Sequence, residues 1–326
     1  MRTRTDDKGG ALLTVLWLSA ALSAIAFSVA STVRSETERT STHIDQVRAY
    51  YLATGAIDRA LLWMQLGPNA RRPDGTPMFY DYGWPVLNMQ FPTGTAIVEI
   101  IPESSKLNVN RATPAELGNM LLSMGIAPGA VQEIVPAIVD WRTPRPGPSP
   151  LDQLYLTLGP TFRPRHASLE QIEELLYVRG VTPEMFHGTW SRNASGVLVR
   201  LPGLKDTLTV YGFNNTYDAN TTPVPVLIAA GIPPDVAAAI DARRRQRPFF
   251  KQEELNPFMG PAQGKLKLGG NSIVTLRATS TLRAPTPAGL SDLRRSVSAV
   301  VKFNVDIKDD PSPYWILRWY DNAGTN

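Results

Sequence analysis

The sequence predicts an α+β chain: a long N-terminal helix laid on an antiparallel sheet, with an all-α insertion of two helix-hairpin-helix bundles. Three observations lead there. No proline occurs between Gly9 and Gly67. Strand-like runs lie near residues 95–103 and again after residue 271. Between them, over about residues 106–268, a helical pattern appears twice.

The helix is justified by its two halves. From Gly9 to Val33 no residue is charged, a run of about 25 residues, enough to cross a hydrocarbon core. Arg2, Arg4 and Lys8 precede it, offset by Asp6 and Asp7, and favour a cytoplasmic N-terminus. Beyond Arg34 the pattern turns amphipathic, and Ile44, Val47, Tyr51, Ala56, Leu61 and Leu62 are expected to share one stripe. Gly55 costs about 1 kcal/mol relative to alanine without ending the helix. The expected rod runs over residues 10–66, transmembrane over about 10–33, and is on the order of 80 Å long. Gly67-Pro68 stops it. Ser28-Val29-Ala30 also offers the small residues of a secretory cleavage site, but a cut there would discard half of the rod.

The sheet, over residues 67–105 and 269–326, follows from alternation. GPNARRPDGTP (67–77) reads as turns within a Gly-, Pro- and Tyr-rich stretch reaching residue 94. TAIVEIIPE, SIVTLRATSTL, RSVSAVVKFNVD and YWILRWYD read as strands, with Asp309-Asp310-Pro311-Ser312-Pro313 a loop before the last. In that last strand Trp315, Leu317 and Trp319 are expected to face one way, into the core.

The insertion, residues 106–268, is justified by an internal repeat, over about 106–186 and 207–268. LNVNRATPAELGNMLLSMGIAPGAVQEIVPAIVDWR matches DANTTPVPVLIAAGIPPDVAAAIDARR. Thr113-Pro114 and Thr222-Pro223 read as helix starts. Gly125-Ile126-Ala127-Pro128 and Gly231-Ile232-Pro233-Pro234 read as interhelical corners, and Gly180-Val181-Thr182-Pro183 as a third.

Composition excludes several functions. The chain has no cysteine and three histidines, His43, His166 and His187, so disulfides, thiol catalysis and a histidine-rich metal site are ruled out. A net charge of +4 without a long basic block is weak ground for nucleic acid. Arg243, Arg244, Arg245 and Arg247 follow the second hairpin, where DNA-binding versions hold phosphate, yet both corners carry proline where an amide would be wanted. A solvated helix end explains the arginines. Glu173 and Glu174 point apart, Ser191 and Ser195 lack a neighbouring base, and His187 beside Trp190 reads as a surface ring. No nucleophile elbow, P-loop or metal-binding histidine pair occurs, and no enzyme is expected.

Lys8-Gly9-Gly10-Ala11-Leu12-Leu13 resembles a type IV pilin-like precursor, and helix plus sheet resembles the pilin architecture. The resemblance implies a cytoplasmic leader, residues 1–9, cut at Gly9|Gly10, with a cut after Gly10 as the alternative. Thr14 then stands at mature position five, where most pilins carry Glu. The missing Glu, Leu107-Asn108-Val109-Asn110, Asp140-Trp141-Arg142, Leu169 to Glu184 and Ala219-Asn220-Thr221-Thr222-Pro223 together resemble the minor pseudopilin K family of type II secretion. That family implies SAM-like inserted bundles, a place at the pseudopilus tip, and minor pseudopilins I and J as partners beside other pseudopilus subunits. It also implies processing by prepilin peptidase, and a single inner-membrane span with the C-terminal domain in the periplasm. The role implied is protein export across the outer membrane; a membrane-tethered DNA-uptake protein is the alternative. Family members can bind calcium through carboxylates in the helical domain. Here Thr143-Pro144-Arg145-Pro146 follows Asp140, which weakens the ligand pattern, and a capped helix end with Trp141 in the core is favoured. Asp309 and Asp310 read as a solvated turn.

Overall fold

A computed structural model describes residues 8–323 except 68–69, 82–83, 160–161, 193–194, 213–214, 263, 270–271, 284–289 and 305–311. Residues 1–7 of the expected leader, Pro68 of the expected helix stop and the Asp309–Asp310 turn lie outside the described residues.

Helix α1 (Lys8–Leu66) is unbroken for 59 residues. Its N-terminal half contains an 18-residue window of mean hydropathy 2.1 with no residue buried, long and apolar enough to cross a membrane. The outer half packs on the sheet through Ala49, Leu52, Ala53, Ala56, Ile57, Ala60 and Leu61. Four alanines on that face leave room for the backbone to lie close to the strands. The Ser280 hydroxyl donates to Ala49 O at 2.7 Å, and Tyr50 OH donates to Asp321 Oδ1 at 2.9 Å. At Gly67 a Cβ would meet Trp63 O at 2.6 Å and the Tyr80 backbone O at 2.7 Å, so the turn after the helix has no room for a side chain.

The expected single stripe resolves into two. Ala56 and Leu61 face the sheet, whereas Ile44, Val47, Tyr51 and Leu62 are exposed on the opposite side. At 100° per residue positions 44, 47, 51 and 62 fall within about 60° of one another, position 56 lies across the helix from them, and position 61 lies at the border of the two faces.

After α1 come β1 (Val86–Phe91) and β2 (Gly94–Pro102). The chain then leaves the sheet for the insertion. Its first part holds β3 (Leu107–Asn108), α2 (Pro114–Ser123), α3 (Pro128–Arg142), α4 (Asp152–Leu158), α5 (Pro183–His187), β4 (Thr189–Arg192) and β5 (Leu198–Leu201). Then follow α6 (Leu204–Thr207), β6 (Leu208–Thr209), β7 (Tyr217–Asp218), α7 (Val224–Ala229), α8 (Pro234–Gln246), α9 (Asn256–Met259) and β8 (Leu266–Lys267). The chain re-enters the sheet at β9 (Ile273–Arg283) and ends with β10 (Leu290–Phe303) and β11 (Tyr314–Tyr320).

The sheet order is β1-β2-β9-β10-β11, every pair antiparallel. Strand β9 alternates cleanly, with Val274, Leu276, Ala278, Ser280 and Leu282 turned to the helix. Strand β1 lies in the Gly-, Pro- and Tyr-rich stretch, beyond the turns expected over residues 67–77, where no strand is expected. Leu87 and Met89 alternate inward there, with Asn88 and Gln90 turned out, over a strand of only six residues.

The final strand also differs from expectation. A register shift between Val300 and Val301 interrupts its pairing, and Trp315, Ile316 and Leu317 are all exposed. A bulge turns successive side chains off strict alternation, so Trp319 packs against the core while Trp315 does not.

The insertion is not all-α. It carries the antiparallel hairpin β4–β5 and two short parallel pairs, β3–β6 and β7–β8. Its halves do not form two independent bundles either. One contiguous apolar cluster runs from Leu107 to Leu266 and joins both, with α2 packed on α7. That cluster shares no residue with the one under α1.

Candidate functional site

Gly9 and Gly10 lie in the first turn of α1, and a Cβ at Gly10 would meet nothing within 4 Å. One turn on, the Thr14 hydroxyl donates to Ala11 O at 2.9 Å. Its polarity is therefore spent on its own helix, and it offers no charge to a neighbour.

The repeat is built with the same bonds twice. Asn110 Nδ2 donates to Leu169 O at 2.9 Å, and Leu169 N donates back to Asn110 Oδ1 at 2.8 Å. In the second repeat Asn220 holds Phe249 by the same two bonds, each 2.8 Å. The Arg142 guanidinium donates to the carbonyls of Val109 and Ala112, and that of Arg244 to those of Ala219 and Thr222. The asparagine and arginine positions singled out in the sequence are thus backbone clasps that close each helical hairpin.

The repeats diverge at their helix starts. Thr113 caps α2 in a reciprocal box with Glu116. Thr222 does not cap α7; its hydroxyl is buried without a hydrogen-bond partner, and Pro223 takes the cap position. The corners behave as expected, with Gly125 and Gly231 at φ +82° and +89°.

A buried acid marks the entry to each repeat. Glu103 accepts from Thr209 and Thr275 at 2.5 Å each and from Lys106 Nζ at 2.9 Å, which ties the insertion to β9. Burial pushes its carboxyl up, but the Lys106 ammonium and these donors outweigh it and hold the group below the usual range. Asp218 accepts from Thr221 and from Gly269 N, with no ion pair among the described residues, and burial pushes its carboxyl up.

The arginine run at the C-terminal end of α8 is paired within the chain, four arginines sharing two carboxylates. Arg244 and Arg245 pair with Asp241, and Arg243 and Arg247 with Glu254. A phosphate would have to displace these partners. Glu173 accepts from Tyr320 OH and Glu174 from the amides of Glu170 and Gln171, so neither stands beside a nucleophile. His187 packs edge-on against Phe186, and Ser191 lies on the exposed hairpin with Trp190.

Asp140 does gather partners that the sequence reading missed. Asp152 and His166 converge with it, one potential ligand atom from each lying within 4.8 Å of the others. Each is separated from the next by more than ten residues without periodicity, so it is the tertiary path of the chain after α3 that brings them together. The expected aromatic core is beside them: Trp141 is buried against Tyr155 and Phe162.

Residues 98–188, from β2 to the end of α5, match the family model for type II secretion system (T2SS), protein K. No curated protein matches the chain. Among solved structures, the chain is similar to one described as the GspK-GspI-GspJ complex from the enterotoxigenic Escherichia coli type 2 secretion system. That match has a TM-score of 0.55 at 15% identity, and covers 88% of this chain and all of the other. The likeness supports the arrangement of long helix, sheet and insertion. The family match falls on the first repeat, where the Asn110 and Arg142 clasps lie. Over residues 98–188 the chain is therefore similar to the type II secretion system protein K family, and its overall arrangement is similar to that of the solved complex.

Proposed function

We propose that the chain is made as a prepilin, cut by prepilin peptidase at Gly9|Gly10, and placed at the pseudopilus tip with minor pseudopilins I and J. The observation that carries this is the helix. It is continuous from the glycine pair to the sheet, apolar all round in its first half, and retains a second apolar face outboard at Ile44, Val47, Tyr51 and Leu62. Such a rod anchors in the inner membrane as a single span, leaves the C-terminal body in the periplasm and packs beside other rods. Thr14 supports the terminal position. A subunit stacked above would present its N-terminal amine to a neutral hydroxyl already bonded to Ala11 O, and burying that charge unpaired is costly. The solved relative is described in complex with I and J, which supports the same partners here. We divide the chain into leader 1–9, rod 10–66, sheet body 67–105 and 269–326, and insertion 106–268, a division supported by two apolar clusters with no shared residue. Its work is then mechanical: the insertion caps the growing end during export across the outer membrane.

The mature N-terminus, sequenced from cells with and without prepilin peptidase, tests the reading. A start at Gly10 that depends on the peptidase, and is lost in Gly9→Ala, is expected. A start after Ala30 overturns it. Co-purification of the processed chain with I and J tests the tip assignment separately.

A further inference from the structure

Calcium, which the family resemblance implies, requires about 6–8 hard oxygen ligands. The Asp140–Asp152 site offers few. Asp140 Oδ1 is held by Arg145 Nη1 at 2.8 Å. Asp140 O faces His166 Nδ1 at 3.0 Å. Asp152 Oδ1 faces His166 Nε2 at 3.0 Å, and its Oδ2 accepts from Ser149 N at 2.8 Å. Of the oxygens gathered here, Asp140 Oδ2 alone has no hydrogen bond, and His166 Nδ1 stands 4.0 Å from it. These residues do not fit calcium: all but one of the gathered oxygens are occupied, and both ring nitrogens of His166 are bonded as well.

We propose that the chain fills this place with its own side chains, with Arg145 and His166 acting as a built-in lock that ties Asp140 to Asp152 without a metal. Both partners of the imidazole, a carbonyl and a carboxylate, only accept hydrogen bonds. Each ring nitrogen thus already has an oxygen partner, and a metal ion at the ring would have to displace one of them. Arg145 already compensates Asp140, and a divalent ion would have to displace it. The backbone carries the second mark of the lock. His166, at φ +47°, is the sole non-glycine residue with positive φ among the described residues. A side chain in that region costs energy that its surroundings must offset, and the two ring bonds do so. The other polar groups at the site are Ser149 and Tyr155, whose hydroxyl accepts from Arg179 N.

Thermal melting of the full-length chain in detergent, followed by the near-UV signal of its tryptophans and tyrosines, tests this. The chain is measured in chelator, in calcium and in zinc. At about 10 mM calcium, a site as weak as extracellular modules would raise the midpoint by about 3 °C. No shift is expected with either ion or with chelator. His166→Gly relaxes the backbone but removes the bridge, and a midpoint lower by about 3 °C or more is expected. Arg145→Ala/His166→Asp restores free carboxylates and is expected to gain a calcium-dependent rise. Stabilisation of the unaltered chain by calcium or zinc, loss of stability in chelator, or a His166→Gly chain that melts as high as the parent would each overturn the lock. Should a variant fail to fold, the ion series on the unaltered chain still decides.

Discussion

The two repeats of the insertion close in the same way over different lengths. In the second, Arg244 and the clasped Phe249 are five residues apart; in the first, Arg142 and the clasped Leu169 are separated by 27. The bonds at the clasp are alike, so the clasp does not depend on what lies between. What the longer path adds is a loop that must be ordered by other means, and there the Asp140, Asp152, Arg145 and His166 cluster is found. The repeats also differ at their entries, where one buried acid is paired with a cation and the other has no ion pair among the described residues.

That comparison can be broken in order of expected effect. Glu103→Ala leaves Lys106 buried beside two orphaned hydroxyls and is expected to cost about 3–5 kcal/mol, measured by denaturant unfolding of the full chain. The effect should shrink in acid. The folded carboxyl lies below its unfolded value, so its contribution is complete above the unfolded pKa and fades as pH falls through the folded one. A parent chain that is as stable in acid as at neutral pH would contradict this.

Asn110→Ala and Asn220→Ala each strand one amide and one carbonyl, and each should cost about 2 kcal/mol. Hydrogen exchange is expected to accelerate at the Leu169 amide in the first and at the Phe249 amide in the second. Unequal losses would show that the longer loop does load the clasp.

The threonines give a smaller and sharper contrast. Thr113→Val removes a reciprocal cap and should cost about 1 kcal/mol. Thr222→Val removes a buried hydroxyl that makes no hydrogen bond, and should be close to neutral or stabilising. Equal losses in the two melts would break the distinction between a capped and an uncapped start.

The smallest effect at neutral pH is expected for Asp218→Asn, which copies Asn108 of the first repeat. The Asp218 carboxyl is raised by burial, so its contribution is fullest below the unfolded pKa and declines as pH rises through the folded one. The asparagine variant should lose that decline, read as a flatter dependence of melting temperature on pH.

Much of this was legible in the residues. A proline-free span with an uncharged first half gives the rod; alternation gives β2, β9 and β10; and two matching Asn-to-Pro runs give the repeat. What escaped had a physical reason. Strand β1 shows two inward residues between polar ones, too short a pattern to stand out. The second apolar face of α1 was merged with the first because small alanines pack as well as leucines against a sheet. The hairpin β4–β5 buries almost nothing and leaves no periodic trace. The partners of Asp140 are set by the path of a loop, which local patterning does not encode.

The insertion leaves the sheet at Pro102 and returns beside it, since Pro102 and Val274 are directly opposed in the β2–β9 ladder. Topologically it is therefore the tip of a hairpin, grown until it became a body with its own interior. Antiparallel neighbours need only a two-residue turn, so the ends of this cassette already stand where a turn would put them. Lineages could enlarge, exchange or trim the cap without disturbing how the rod meets its sheet.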